Sequence, residues 1–259
     1  MKTKLCIGAL VLALIAVAVL IKLVFFPSIK DAYFDPRKLE RVPAGLVTVR
    51  PTHFPRLRVK GGVYASVRGG DHNGRRMSGS KIPLREVMAM AYGQSAARVL
   101  LPPDAPAEDF DFLVTVAGDP KPPLQAAIRR ELGYVAHTET RDTDALALMV
   151  ADARLPGLTV SGPDERQTVA FKDGQLHFTH ARLGGITGFA QQFLKVPLVD
   201  RTDLTNYYDF AVAWDQRTWQ QLENEATARD GLDKIFGRLG LRLQPDTAPV
   251  EMLVVEKAK

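Results

Sequence analysis

The feature that most constrains this chain is a helix-strand-loop-strand unit at residues 183–214, because the same pattern recurs three more times. In LGGITGFAQQFLKVPLVDRTDLTNYYDFAVAW, Ile186, Phe189, Ala190 and Phe193 fall at i, i+3, i+4 and i+7, one face of a short helix. Residues 196–199 read as a short buried strand and residues 200–207 as a polar loop. Tyr208, Phe210, Val212 and Trp214 alternate as one face of a second strand.

The other copies share this layout. In the first, Leu84, Val87, Met88 and Ala91 make the helical stripe, and residues 99–101 and 110–116 supply strands. In the second, Leu124, Ala127, Ile128 and Leu132 make the stripe, with strands at 134–137 and 145–151. In the last, the stripe is Leu232, Ile235, Phe236 and Leu239, with strands at 241–244 and 250–256. Gly133 and Gly240 follow two of these helices directly and predict left-handed C-terminal caps.

Copies one and two adjoin, as do three and four, and the segment RLPGLTVSGPDER at 154–166 separates the pairs. A strand at 46–50 precedes the first pair, with a hairpin predicted at 57–67 around Gly61-Gly62 and a Gly- and Arg-rich surface loop at 68–80. That loop lacks the spacing of a phosphate loop. A hairpin at 167–181, turning at Asp173-Gly174, precedes the second pair. The expected fold is therefore α+β: an N-terminal transmembrane helix, then two tandem small α/β sandwich modules built from helix-strand-strand repeats. The expected bounds are a membrane anchor at 1–29, a linker at 30–45, a first module at 46–153, a linker at 154–166 and a second module at 167–259.

The anchor rests on an unbroken apolar or small-residue run at 5–21, then Lys22, then more apolar sequence to Phe26. A bilayer core of about 30 Å needs roughly 20 helical residues, and a terminal lysine can reach the interface. Cleavage at Ala16-Val17-Ala18 is the rival reading, but the apolar sequence continues past it until Pro27. Cys6, the single cysteine, falls within this segment, so no intrachain disulfide forms.

Charge is unevenly placed. Residues 30–100 carry 14 Lys and Arg against 5 Asp and Glu, whereas residues 101–259 carry 17 against 24. A basic stretch beside a membrane anchor suits anionic lipid head groups. Nucleic acid is not expected as a partner, since no aromatic-interleaved basic motif appears.

No residue earns a catalytic, cofactor-binding or metal-ligating assignment. His177 and His180, three apart on a strand, are expected on opposite faces, which rules out a shared metal site. His137 beside Glu139 reads as a surface residue. Asp200, Asp203 and Asp209 crowd one loop without calcium-loop spacing and read as turn-organising acids. Trp214 reads as a core anchor and Trp219 as partner-facing. No nucleophile elbow or zinc-protease motif is present.

Two segments carry a family resemblance: VPLVDRTDLTNYYDF at 196–210 and LGLRLQPDTAPVEMLVVE at 239–256. With residues 46–51, IPLREVMAMAYG at 82–93 and the segment 137–150, they closely resemble an uncharacterised soil-associated bacterial family, a domain of unknown function. Asp203 and Asn206 stand where that family's pattern has glycine, and both tolerate positive φ. Each half also resembles the short N-terminal module of secretins and TonB-dependent receptors. That likeness implies a periplasmic, non-enzymatic protein acting through contacts with an envelope partner, anchored in the inner membrane by residues 5–26. Two other readings stand beside it: a hydrolase-like enzyme whose acids converge from distant segments, and a basic surface binder of lipid or nucleic acid.

Overall fold

The structure, a computed structural model, describes Leu39 and residues 42–52, 63–68, 75–162, 166–213 and 215–259. The predicted membrane span lies outside these residues, as do the first arm of the predicted 57–67 hairpin and Trp214. Among the described residues no helix is long and apolar enough to cross a membrane. The fold is mixed α+β, with three four-stranded sheets.

The chain divides into two compact units. The first takes the described residues up to Gly93 together with Pro102–Val135 and Glu256–Lys259; the second takes Gln94–Leu101 and Ala136–Val255. Residues 154–166 fall within the second unit.

The first unit is built on an antiparallel sheet of order β1-β5-β3-β2, formed by β1 (Val47–Pro51), β2 (Val63–Arg68), β3 (Arg75–Pro83) and β5 (Asp109–Val114). Helices α1 (Leu84–Tyr92) and α2 (Lys121–Leu132) belong to the same unit. The α1 stripe is buried as the periodicity predicts, with Leu84, Val87, Met88 and Ala91 in the core. Strand β5 alternates Phe110 and Phe112 with Asp111 and Leu113, and all four are buried. Leu113 packs with Leu39 and Val42, while the Asp111 carboxylate accepts from the Ser80 hydroxyl at 2.8 Å, the Thr52 hydroxyl at 3.1 Å and the Lys81 N–H at 3.2 Å. These bonds offset the cost of a buried carboxylate and organise the bulge between Gly79 and Ile82, where Lys81 takes φ 57°.

Here one expectation is corrected. Residues 75–80 are not loop: Arg75–Pro83 is a strand between β5 and β2. The polar and glycine content that suggests a loop serves the bulge and a close approach. A Cβ at Gly79 would lie 2.3 Å from Phe112 Cε1.

The second unit contains β4 (Val99–Leu100), β7 (Thr159–Val160), β8 (Thr168–Lys172), β9 (Gln175–Ala181), β10 (Leu198–Asp200) and β11 (Tyr208–Ala213). Its helices are α3 (Leu183–Gln191), α4 (Gln216–Glu223) and α5 (Glu225–Arg238). Two long strands, β6 (Tyr134–Val150) and β12 (Leu241–Lys257), complete the element set. One sheet has the order β10-β6-β12-β4, with β10 parallel to β6 and β4 parallel to β12. The other, β7-β11-β9-β8, is antiparallel. Its core joins Phe210 and Val212 to Leu183, Ile186, Leu222, Leu232 and Phe236.

Three further expectations change. Each predicted pair of strands at 134–151 and 241–256 is one continuous strand. The intervening HTETRDTD stretch looks like a break because it lacks apolar residues, and QPDTAP because of its two prolines, yet the sheet needs apolar residues only where a face is covered; residues 137–142 are all exposed, whereas Ala248 is buried. Pro245 and Pro249 lie outside the two residues of β12 that β4 covers, and being four apart they share one side of the strand, so neither need interrupt a ladder. The buried face of α3 is Leu183, Ile186, Thr187, Ala190 and Gln191, with Phe189 and Phe193 half-buried beside it and meeting edge-on at 5.4 Å. The difference arises because Gln191 is buried for its amide: Oε1 accepts the Leu198 N–H at 3.0 Å and the Arg98 guanidinium at 3.3 Å. Helix α4 is an addition. Its signal is Asp215, whose carboxylate caps the Thr218 N–H at 2.8 Å.

Candidate interaction surface

The hairpin β8–β9 turns where the sequence places it. Asp173 at φ 52° and Gly174 at φ 74° give a two-residue turn closed by Lys172 opposite Gln175. In such a hairpin the residues flanking the turn form a hydrogen-bonded pair, so Thr168, Ala170 and Lys172 direct their backbone groups at β9. Val169 and Phe171 therefore direct theirs outward, away from the sheet.

Their side chains continue the core face. Val169 stands opposite Phe178, which stands opposite Phe210; Phe171 stands opposite Leu176, which stands opposite Val212. Phe178 and Phe210 stack at 4.7 Å. Burial fades along each row: Phe210 and Val212 are buried, Leu176 and Phe178 half-buried, Val169 and Phe171 exposed at 56% and 64%. The apolar face thus runs past its cover to an edge that no other described strand pairs.

The edge strand β1 is built differently. Glu131 Oε2 accepts the outward N–H of Val49 at 3.0 Å, and two residues on, Pro51 has no N–H to offer. Strands β7, β10 and β4 are edges of two or three residues. Strand β8 carries no proline and no inward charge, and its one charged residue, Lys172, stands at the turn end of the strand, away from Val169.

Between β9 and β11 the register shifts at Tyr208/Phe210, leaving Thr179 and His180 opposite Asp209. His180 takes φ 50°, its N–H bonds Asp209 Oδ1 at 2.8 Å, and its ring stacks on Tyr207 with centroids 4.0 Å apart. The Arg182 guanidinium lies 4.7 Å from the same Tyr207 ring. Alternation does not carry through a bulge, so the opposite-face reading of His177 and His180 fails. Serine, histidine and aspartate meet here without the wiring of a nucleophilic triad. The Ser161 hydroxyl donates to Asp209, Asp209 holds the His180 main chain, and buried His180 Nδ1 has no hydrogen-bond partner among the described residues.

The remaining singled-out residues are placed as follows. Asp200 Oδ1 accepts the Thr202 N–H at 2.9 Å and its hydroxyl at 2.7 Å, and Asp203 sits at φ 57°, so both shape the loop; Asp209 serves the bulge. Among the described residues no group of three or more His, Cys, Asp and Glu is arranged to hold a metal ion. His137 is exposed on β6, with Nε2 3.9 Å from Glu139, and Arg141 bonds the same carboxylate at 2.9 Å and draws it below the usual range. The side chain of Trp219 lies outside the described set. The edge itself carried one legible signal, an alternating V-A-F before the strongest turn motif in the chain, but which face was left uncovered depends on the helices.

Fold and surface together define a mixed α+β protein in which no other described strand pairs with the outer side of β8. The chain belongs to the family described as protein of unknown function (DUF3738), whose model matches residues 85–258. The match opens at the second residue of α1, so β1, β2 and β3 precede it. No curated protein and no solved structure matches the chain.

Proposed function

We propose that this chain is a non-enzymatic, membrane-anchored cell-envelope protein that acts through protein contacts, with β8 adding a strand from an envelope partner. The observation that carries the reading is the outward backbone of Val169 and Phe171, paired by no other described strand, beside their exposed apolar side chains. Strand addition draws affinity from main-chain bonds and specificity from alternate side chains, and β8 offers both. In this reading residues 5–26 span the inner membrane, the body lies in the periplasm, and the two halves act as tandem secretin-like modules.

Two experiments test it. Protease added to intact spheroplasts should digest the body; protection until lysis would place it in the cytoplasm. A photo-cross-linking residue at position 171 should yield a protein adduct that Val169→Lys removes. A residue at 171 that yields no adduct in the native membrane would count against β8 as the contact.

A further inference from the structure

We infer that the partner strand is β8 of a second copy, paired antiparallel about a two-fold axis at Ala170. This rests on the strand-addition reading and names its partner.

The self-complementarity is in the register. A two-fold axis normal to a sheet keeps each residue on its own face, so only pairings between residues of like parity arise. Centred on Val169, the pairing sets Phe171 against Gln167. Centred on Phe171, it sets Val169 against Asp173. Centred on Ala170, it sets Val169 against Phe171 of the second copy, twice over, and joins the two exposed apolar ledges. On the other face Lys172 then meets Thr168, and the smallest side chain of the strand lies on the axis against itself. No like charges stand opposite one another.

The backbone agrees. Val169 and Phe171 hold the outward groups, and in this register they become hydrogen-bonded pairs, giving four main-chain bonds between copies. Ala170 against Ala170 is then a non-hydrogen-bonded pair, with Cα atoms about 4.5 Å apart.

The contact is small. Five residues a side fall short of the roughly 20 to 30 of a stable interface, so pairing is concentration-dependent. Confinement to a membrane raises the effective concentration without any new contact.

The test is cysteine cross-linking of the full chain in its native membrane, with Cys6→Ala to remove the single native thiol. A separation of about 4.5 Å lies within disulfide reach, so Ala170→Cys should give an oxidised dimer. Thr168→Cys alone and Lys172→Cys alone should not, because four residues of offset leave each about 13 Å from its own copy. The two co-expressed should cross-link to one another, and adding Phe171→Lys to Ala170→Cys should cut the dimer at least tenfold. Equal cross-linking at 168, 170 and 172 would mean random collision and overturn the register. No disulfide at 170, with a photo-adduct to a different protein still formed at 171, would overturn self-pairing and leave strand addition standing. Neither product would sink both.

Discussion

The carboxylate of Glu131 accepts the main-chain N–H of Val49 at 3.0 Å, closing a position on edge strand β1 from the last turn of α2. It also accepts the Thr48 hydroxyl at 3.1 Å. Removing the acceptor with Glu131→Ala leaves that N–H unsatisfied at a part-buried site, a cost of about 1–2 kcal/mol. Glu131→Gln keeps an acceptor oxygen and should lose less. Urea unfolding of both variants checks the order; equal losses would mean that the side chain acts through packing rather than through the edge.

Gly79 faces Phe112 across β3 and β5, and an added Cβ would also fall 2.8 Å from Ile82 Cγ1. Because Phe112 and Ile82 are buried and cannot swing away, Gly79→Ala should destabilise by about 1–3 kcal/mol. Phe112→Leu, destabilising on its own, should lessen the added cost of Gly79→Ala in a double-mutant cycle. Simple additivity would contradict the close approach.

Gln191 holds α3, β10 and Arg98 together through one amide oxygen. Gln191→Leu keeps the burial and deletes the acceptor, so it should cost about 1–3 kcal/mol by urea unfolding. A neutral result would show that water replaces the amide.

What was legible in the sequence follows from how local each signal is. Asp173-Gly174 sets a turn with two residues, and Gly133 at φ 72° and Gly240 at φ 80° end helices by themselves, so all three were readable. The continuous strands β6 and β12 were not, because an exposed strand needs no apolar alternation and its continuity comes from the neighbour it pairs with. The α3 stripe was misplaced by one polar residue, Gln191, whose buried amide oxygen accepts from Leu198 and from Arg98, the latter 93 positions away. The open edge was half readable: Val169 and Phe171 announced an apolar face, but only packing revealed that nothing among the described residues covers it.

Asp215 supplies the pH dependence. The Thr218 N–H it accepts draws its pKa below the ordinary carboxylate value. A group whose folded pKa is depressed stabilises the fold above its unfolded pKa, and that contribution is lost as pH falls through the folded value. Asp215→Ala should therefore lower Tm at neutral pH, and its difference from the wild type should shrink once the pH drops below the carboxylate range. A gap that stays constant down to strongly acidic pH would assign α4 another start.

The most direct test of an open β8 edge is amide hydrogen exchange along that strand in dilute full-length protein. Thr168, Ala170 and Lys172 bond to β9, whereas Val169 and Phe171 do not. The expected pattern is alternation: slow exchange at Ala170 and Lys172, near-unprotected exchange at Val169 and Phe171, and slowing of the latter two as β8 pairs at high concentration. Equal protection of all four at dilution would show the edge already covered by the chain itself, and would contradict strand addition there.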